Sequence, residues 1–176
     1  MRVAVFLLAF VISGCASVPL GTLLEFRNYS VDDLGAIQPQ QIRAQIQVDE
    51  PVLADAQSSM LQLEISKGDK VQLFTFPLEL IGEHKIQSES GMFFSSAGKT
   101  QYELRLSEQA INSFKEAQQL LARQKPAEFK FTVSTSFEKL PENTDEIILS
   151  ILLKLSDEQD YMLLFDNARL EVKREG

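Results

Sequence analysis

Tryptophan is absent from this 176-residue chain, histidine and cysteine occur once each, and proline and glycine number only six and eight. Each scarcity closes off a class of structure or chemistry. With Cys15 as the sole cysteine, no disulfide can form within the chain, so the fold must rest on packing even in an oxidising compartment. One cysteine and one histidine fall short of the ligand set of a zinc site, and no metal site is expected. A Ser-His-Asp or Cys-His centre would have to use His84. That residue lies in the polar stretch Gly82-Glu83-His84-Lys85, which reads as a connection with a solvated histidine. Basic side chains are in the minority, 17 against 25 acidic ones, and form no cluster. A formal charge of −8 repels polyanions, so nucleic acid is not an expected partner, and anionic lipid headgroups are repelled as well. A long apolar run is also missing. Val3 to Ile12 is too short for a spanning helix, which needs roughly 20 residues.

What is present starts at the N-terminus. Arg2 supplies a positive charge, Val3 to Ile12 an uncharged apolar core, and Ser13-Gly14-Cys15 small residues at its end. That order is the pattern of a secretory signal. Ile12-Ser13-Gly14-Cys15 resembles the bacterial lipobox, in which an aliphatic residue and two small residues precede cysteine. The resemblance implies cleavage between Gly14 and Cys15, a diacylglyceryl group on the Cys15 sulfur, and acylation of the new amino terminus, as by palmitate. More than one chain is needed for stable anchoring, at about 0.8 kcal/mol per buried methylene, and a triacylated cysteine exceeds that requirement. By the sorting rule for such lipoproteins, Ala16 and Ser17 in place of aspartate after the cysteine imply the outer membrane, facing the periplasm.

Three segments follow: a cleaved signal at 1–14, a lipidated cysteine and tether at 15–22, and one globular domain at 23–176. Loss of Arg2 leaves the charge near −9, so membrane contact is expected through the anchor alone. The tether, with Pro19, spans roughly 20 Å when extended, which keeps the domain near the bilayer. A hydrophobic content of 44% marks a globular chain.

Within the domain, Leu23 to Tyr29 reads as a first strand. Ser30 reads as an N-cap of a short helix with Asp32 and Asp33 in its first turn, ending by Pro39. Ile42, Ala44, Ile46 and Val48 alternate with polar residues as in a half-buried strand. Pro51 to Ser58 reads as a loop, Leu61, Leu63 and Ile65 as a strand, and Lys67-Gly68-Asp69 as a turn. Val71, Leu73, Phe76, Leu78 and Leu80 form the next strand, with a phase slip at Phe74 and Thr75 that suggests a bulge, and with Pro77 marking an edge. The stretch from Gly82 to Lys99 reads as a polar connection, and Tyr102, Leu104 and Leu106 resume the alternation. From Ser107 to Arg123, Ala110, Ile111, Phe114, Ala117 and Leu121 recur at helical spacing, and Pro126 stops the helix. Phe129 to Phe137, Ile147 to Leu155, and Tyr161 to Val172 complete the strands; Ile147 to Leu155 is apolar on both faces and reads as a central strand covered on two sides. The fold class expected is mainly β or α+β. It is an antiparallel, sandwich-like domain of about seven or eight strands, with one long helix (about 107–124) packed on it. The order of elements, with Val18-Pro19-Leu20 and the Pro39 to Arg43 stretch, resembles small envelope lipoproteins of Gram-negative bacteria, a resemblance that brings no assigned activity.

Candidate chemistry is thin. Ala97-Gly98-Lys99-Thr100 has the tail of a phosphate-binding loop, but Phe93 stands where the motif needs glycine, and Gln101 to Leu106 reads as strand where a helix should begin. Asp157, Glu158 and Asp160 lack the central glycine of a calcium loop. Glu64, Glu79 and Glu103 fall at solvent-facing strand positions, outside the dry pocket that paired carboxylates need. No catalytic residue is expected, and no cofactor beyond the lipid on Cys15. Ten of the 12 phenylalanines follow the signal, and most occupy core positions. Met92-Phe93-Phe94 instead interrupts a polar stretch and is the candidate contact for a partner or an acyl chain. The leading expectation is a non-enzymatic accessory lipoprotein that binds another envelope protein. The alternatives are a lipid or lipoprotein carrier with an apolar cavity between helix and sheet, and an envelope hydrolase.

Overall fold

The computed structural model describes residues 24–25, 31–90, 95–124 and 128–172. The elements in chain order are β1 (Leu24–Glu25), α1 (Val31–Ala36), a 3-10 turn (Pro39–Gln41), β2 (Arg43–Asp49), β3 (Leu53–Lys67), β4 (Lys70–Ile86), β5 (Glu89–Ser90), β6 (Ser95–Ser96), β7 (Lys99–Leu106), α2 (Glu108–Gln124), β8 (Glu128–Lys139), β9 (Glu146–Lys154) and β10 (Met162–Glu171). The domain is predominantly antiparallel β. Eight strands form one sheet in the order β1-β8-β3-β4-β7-β2-β9-β10, and β5 pairs with β6.

One long strand explains why the sheet curls. β4 pairs with β3 over Lys70 to Pro77 and with β7 over Leu78 to Ile86. The change of partner divides the sheet into two arms, β1-β8-β3 and β7-β2-β9-β10, joined through β4. Pro77 stands at the changeover, opposite Met60, where its missing N–H removes no rung between β4 and β7. So Pro77 marks an edge in part of β4 and not in the whole strand: from Lys70 to Pro77 the strand is paired with β3 alone, and from Leu78 onward with β7. The proline ends one ladder immediately before the next begins.

Most of the alternation read from the sequence reappears as burial. Ile42, Ala44, Ile46 and Val48 point inward, as do Leu61, Leu63 and Ile65, Tyr102, Leu104 and Leu106, and Ile147, Leu149, Ile151 and Leu153. Ser107 caps α2 by accepting the Ala110 N–H on its hydroxyl at 3.1 Å. The buried stripe Ala110, Phe114, Ala117 and Leu121 seats this helix against the sheet, while Glu116 and Gln119 face solvent. There the Phe114 ring lies 4.9 Å from Phe76 and 6.4 Å from Phe131, all three fully buried. Gln118 donates to the carbonyls of Leu34 and Ile37, both at 2.8 Å, and so holds the C-terminal end of α1 against α2. Gly68, at φ +59°, supplies the left-handed residue of the β3–β4 turn.

Several expectations need correction. The stretch read as a loop from Pro51 to Ser58 belongs to β3 from Leu53 onward, paired with β8 across a register shift. Its small and polar residues hid the strand, and side-chain hydrogen bonds hold the irregularity. Ser58 Oγ lies 2.6 Å from Ser136 Oγ, and Ser59 donates to Thr135 at 2.9 Å. No slip occurs at Phe74 and Thr75. The β3–β4 register is continuous there, and the shift falls between Leu80 and Gly82. The polar connection expected from Gly82 onward begins later, because β4 runs to Ile86 and carries His84. Finally, β9 is an interior strand, paired with β2 and β10, but its outer face is only partly covered, with Ile148 and Leu152 half-buried. The edge strand β10 is broken by two register shifts, with Asn167 at φ +46° within the second, which makes it a poor template for further pairing.

Candidate functional site

Gly14 and Cys15, the expected processing and lipidation positions, lie outside the described residues, as do Met92, Phe93 and Phe94. The chain flanking the last three is described. β4 ends at Ile86, Glu89 pairs with Ser96 and Ser90 with Ser95, and β7 opens at Lys99. In the sequence, Met92 to Phe94 fall between the paired strands β5 and β6.

The sequence motifs are dispersed on strands and turns. His84 is largely exposed on β4, its Nε2 4.0 Å from Glu103 Oε2. Lys99 opens a strand, not a helix. Its ammonium donates to Asn167 Oδ1 at 2.6 Å and lies 3.6 Å from an Asp49 carboxylate oxygen. Asp157, in the β9–β10 turn, lies 3.6 Å from the Lys154 ammonium. Among the described residues, no three His, Cys, Asp or Glu side chains gather as a metal group. Glu79 accepts from Arg105 at 2.6 Å, and Glu103 accepts from Gln45 at 3.1 Å. With Gln47 and Gln101 at 2.8 Å, these pairs form a polar ladder across the outer face of β4, β7 and β2.

The space between α2 and the sheet holds the Phe76, Phe114 and Phe131 rings. A cleft of about 340 Å³ lies elsewhere, between α1, the 3-10 turn and the β9–β10 turn. Asp33, Gln38, Gln41, Ser156 and Glu158 line it, a surface suited to a small polar molecule rather than to an acyl chain. Gln41 is already engaged there, donating to Gln38 at 3.1 Å and accepting the Asp157 N–H at 3.2 Å.

No protein-family model matches this chain, and no curated protein or solved structure does either. Among the described residues, no helix is long and apolar enough to cross a membrane.

Exposed apolar surface is concentrated on one strand. Of the eight large apolar side chains exposed among the described residues, five belong to β4: Val71 (63%), Leu73 (56%), Leu80 (45%), Ile81 (45%) and Ile86 (42%). Sequence reasoning placed Val71, Leu73 and Leu80 together with Phe76 and Leu78 as one strand. The conflicting phase, which it read as a bulge, was the signal of exposure. In one continuous register Phe74, Phe76 and Leu78 face the core, and Val71 and Leu73 face out. Leu80 is opposite the buried Leu104 yet exposed, immediately before the register shift at which Ile81 is the extra residue.

Proposed function

We propose that this chain is an envelope lipoprotein, anchored to the outer membrane through lipid on Cys15 and facing the periplasm. In this reading it acts without catalysis, as an accessory module that binds another envelope protein. The observation that carries the binding surface is the exposure of Leu80, Ile81 and Ile86 on the stretch of β4 that leads to Met92, Phe93 and Phe94. Isolated exposed apolar residues are ordinary, but a run of them on one strand, followed in the sequence by three more large apolar residues, is the pattern of a contact surface. The curled sheet serves as a sandwich-like scaffold, with its long helix inside, that presents this end of β4 to the partner.

The carrier reading has less support. A lipid needs an apolar volume under α2, and the three phenylalanine rings stand in that place. The hydrolase reading needs a base held beside a nucleophile, and His84 is an exposed strand residue facing a carboxylate.

The test is photocrosslinking in cells from position 81 or 86, in the native chain and in the Phe93→Ser/Phe94→Ser double variant. A discrete protein adduct that disappears in the double variant, at unchanged protein level, is expected. An adduct that persists undiminished overturns the assignment of this surface. Cys15→Ser tests the anchor separately, by moving the chain from the membrane to the soluble fraction.

A further inference from the structure

We propose that the tip of the β3–β4 hairpin is a second membrane contact, which lays one end of β4 against the bilayer that holds the lipid and directs the other end away from it. The inference rests on the anchoring reading above and adds an orientation to it. Val71 and Leu73 are the most exposed large apolar residues described, and they share the outer face of the hairpin with Ser66 and Glu64. The chain as a whole carries a formal charge of −8, which disfavours approach to anionic headgroups. The hairpin tip is locally balanced, since Lys67 and Lys70 offset Glu64 and Asp69. It is therefore a place where apolar side chains meet the headgroup region without net repulsion.

Chain length supplies the second argument. Cys15 stands nine positions before Leu24, a reach of about 30 Å at most. Glu25 is in register with Lys130, Lys130 with Glu64, and Glu64 with Leu73. Three strand spacings place Leu73 about 14 Å from Glu25. The tether thus exceeds the separation, and lipid and tip can enter one bilayer together. Ile86 lies thirteen positions beyond Leu73 on the same strand, about 43 Å further along it. The anchor supplies a high effective concentration, so two apolar side chains suffice to orient the domain although they could not recruit it. The expected result is a domain lying with Val71 and Leu73 on the membrane and with Leu80, Ile81 and Ile86 available to a periplasmic partner.

The experiment uses the lipidated chain purified from membranes, with Leu73→Cys or Ile86→Cys labelled by an environment-sensitive fluorophore. Lipid occupies Cys15, so each variant has a single free thiol. The chains are reconstituted into phosphatidylethanolamine–phosphatidylglycerol vesicles that carry spin-labelled lipid. Loss of fluorescence at position 73, with fluorescence kept at position 86, is expected. Equal quenching at both positions, or none at 73, overturns the proposal. The intact mass of each chain reports the anchor independently. A chain without diacylglycerol on Cys15 refutes the anchoring reading; the same variants with Cys15→Ser, which keeps a single thiol, are then held to nickel-chelating vesicles by a histidine tag before residue 15, and the same comparison of positions decides the tip.

Discussion

The two arms of the sheet build their interiors differently. Around α2, the β1-β8-β3 arm and the adjoining stretch of β4 contribute large rings, with Phe76 and Phe131 on either side of Phe114. The β7-β2-β9-β10 arm is lined mainly by aliphatic side chains, among them Ala44, Ile46, Val48, Leu104, Leu149, Ile151 and Leu153. Their polar side chains differ too. The second arm carries paired polar side chains from Glu79–Arg105 to Gln47–Gln101 on its outer face, whereas the hydroxyl groups of the first are gathered inward at the β3–β8 irregularity, with Ser59 and Thr135 buried. Stability in the first arm therefore depends on a few large contacts that share partners. In the second it is divided among many small ones. Without a disulfide, the helix is joined to the sheet by packing alone, through the three rings and the buried Ala110, Ala117 and Leu121.

Replacing the central ring should break this contrast most directly. Phe114→Ala is expected to destabilise the domain by about 3–5 kcal/mol, as large-to-small aromatic changes in cores do. Equilibrium urea unfolding measures it. Because Phe114 and Phe76 are in contact, the double variant should depart from additivity by about 0.5–3 kcal/mol. Additive losses would show that the rings act separately and that the first arm is no more concentrated than the second. In the aliphatic arm, Ile46→Val removes one methylene from a fully buried site and is expected to cost about 0.5–1.5 kcal/mol. A loss as large as that of Phe114→Ala would erase the difference between the arms.

The legibility of the chain follows the same division. Wherever a strand alternates between large apolar and polar residues, as in Ala44 to Val48 or Tyr102 to Leu106, its pattern was readable, because period-two burial leaves its trace in residue type. The start of β3 was not readable. Val52, Ala54 and Ala56 are buried but small, and the register is held there by Ser58, Ser59, Thr135 and Ser136, which carry no periodic signal. The curl was equally invisible, since the change of partner within β4 is a property of the assembled sheet and not of any local run. For the candidate site, the sequence marked Met92 to Phe94, which lie outside the described residues. The exposure of Val71, Leu73 and Leu80 was hidden in a strand read with a phase slip, because an apolar residue in a strand has the same identity whether or not anything covers it.

One side chain couples the arms and offers a pH readout. Tyr102 extends from β7 and receives a backbone hydrogen bond from Ala54 of β3. Burial raises its pKa above 10.0, Glu83 and Glu138 add to the shift, and the Ala54 bond offsets part of it. A folded pKa above the unfolded one means that the protonated phenol is favoured in the folded state. Its contribution is complete below pH 10 and is lost as the pH rises through the folded value. Tyr102→Phe should therefore make the decline of stability above about pH 10 shallower, as read by urea unfolding on either side of that pH. An unchanged slope would mean that the arms are joined without this group. Tyr161, raised by burial and by Glu103, titrates in the same direction and keeps the decline from vanishing.

The smallest effect concerns the outer ladder. Arg105 and Glu79 meet at 2.6 Å, yet their side chains are half exposed. Water screens such a pair, so its coupling in a double-mutant cycle with Glu79→Gln and Arg105→Gln should be about 0.2–1 kcal/mol and should shrink in high salt. The geometry of the bond overstates its energy, and the second arm would keep its stability from its aliphatic interior. A coupling well above that range, insensitive to salt, would reverse this assignment. The polar ladder, and not the buried Ile and Leu side chains, would then be what holds β4 to β7 beside the exposed Leu80 and Ile81.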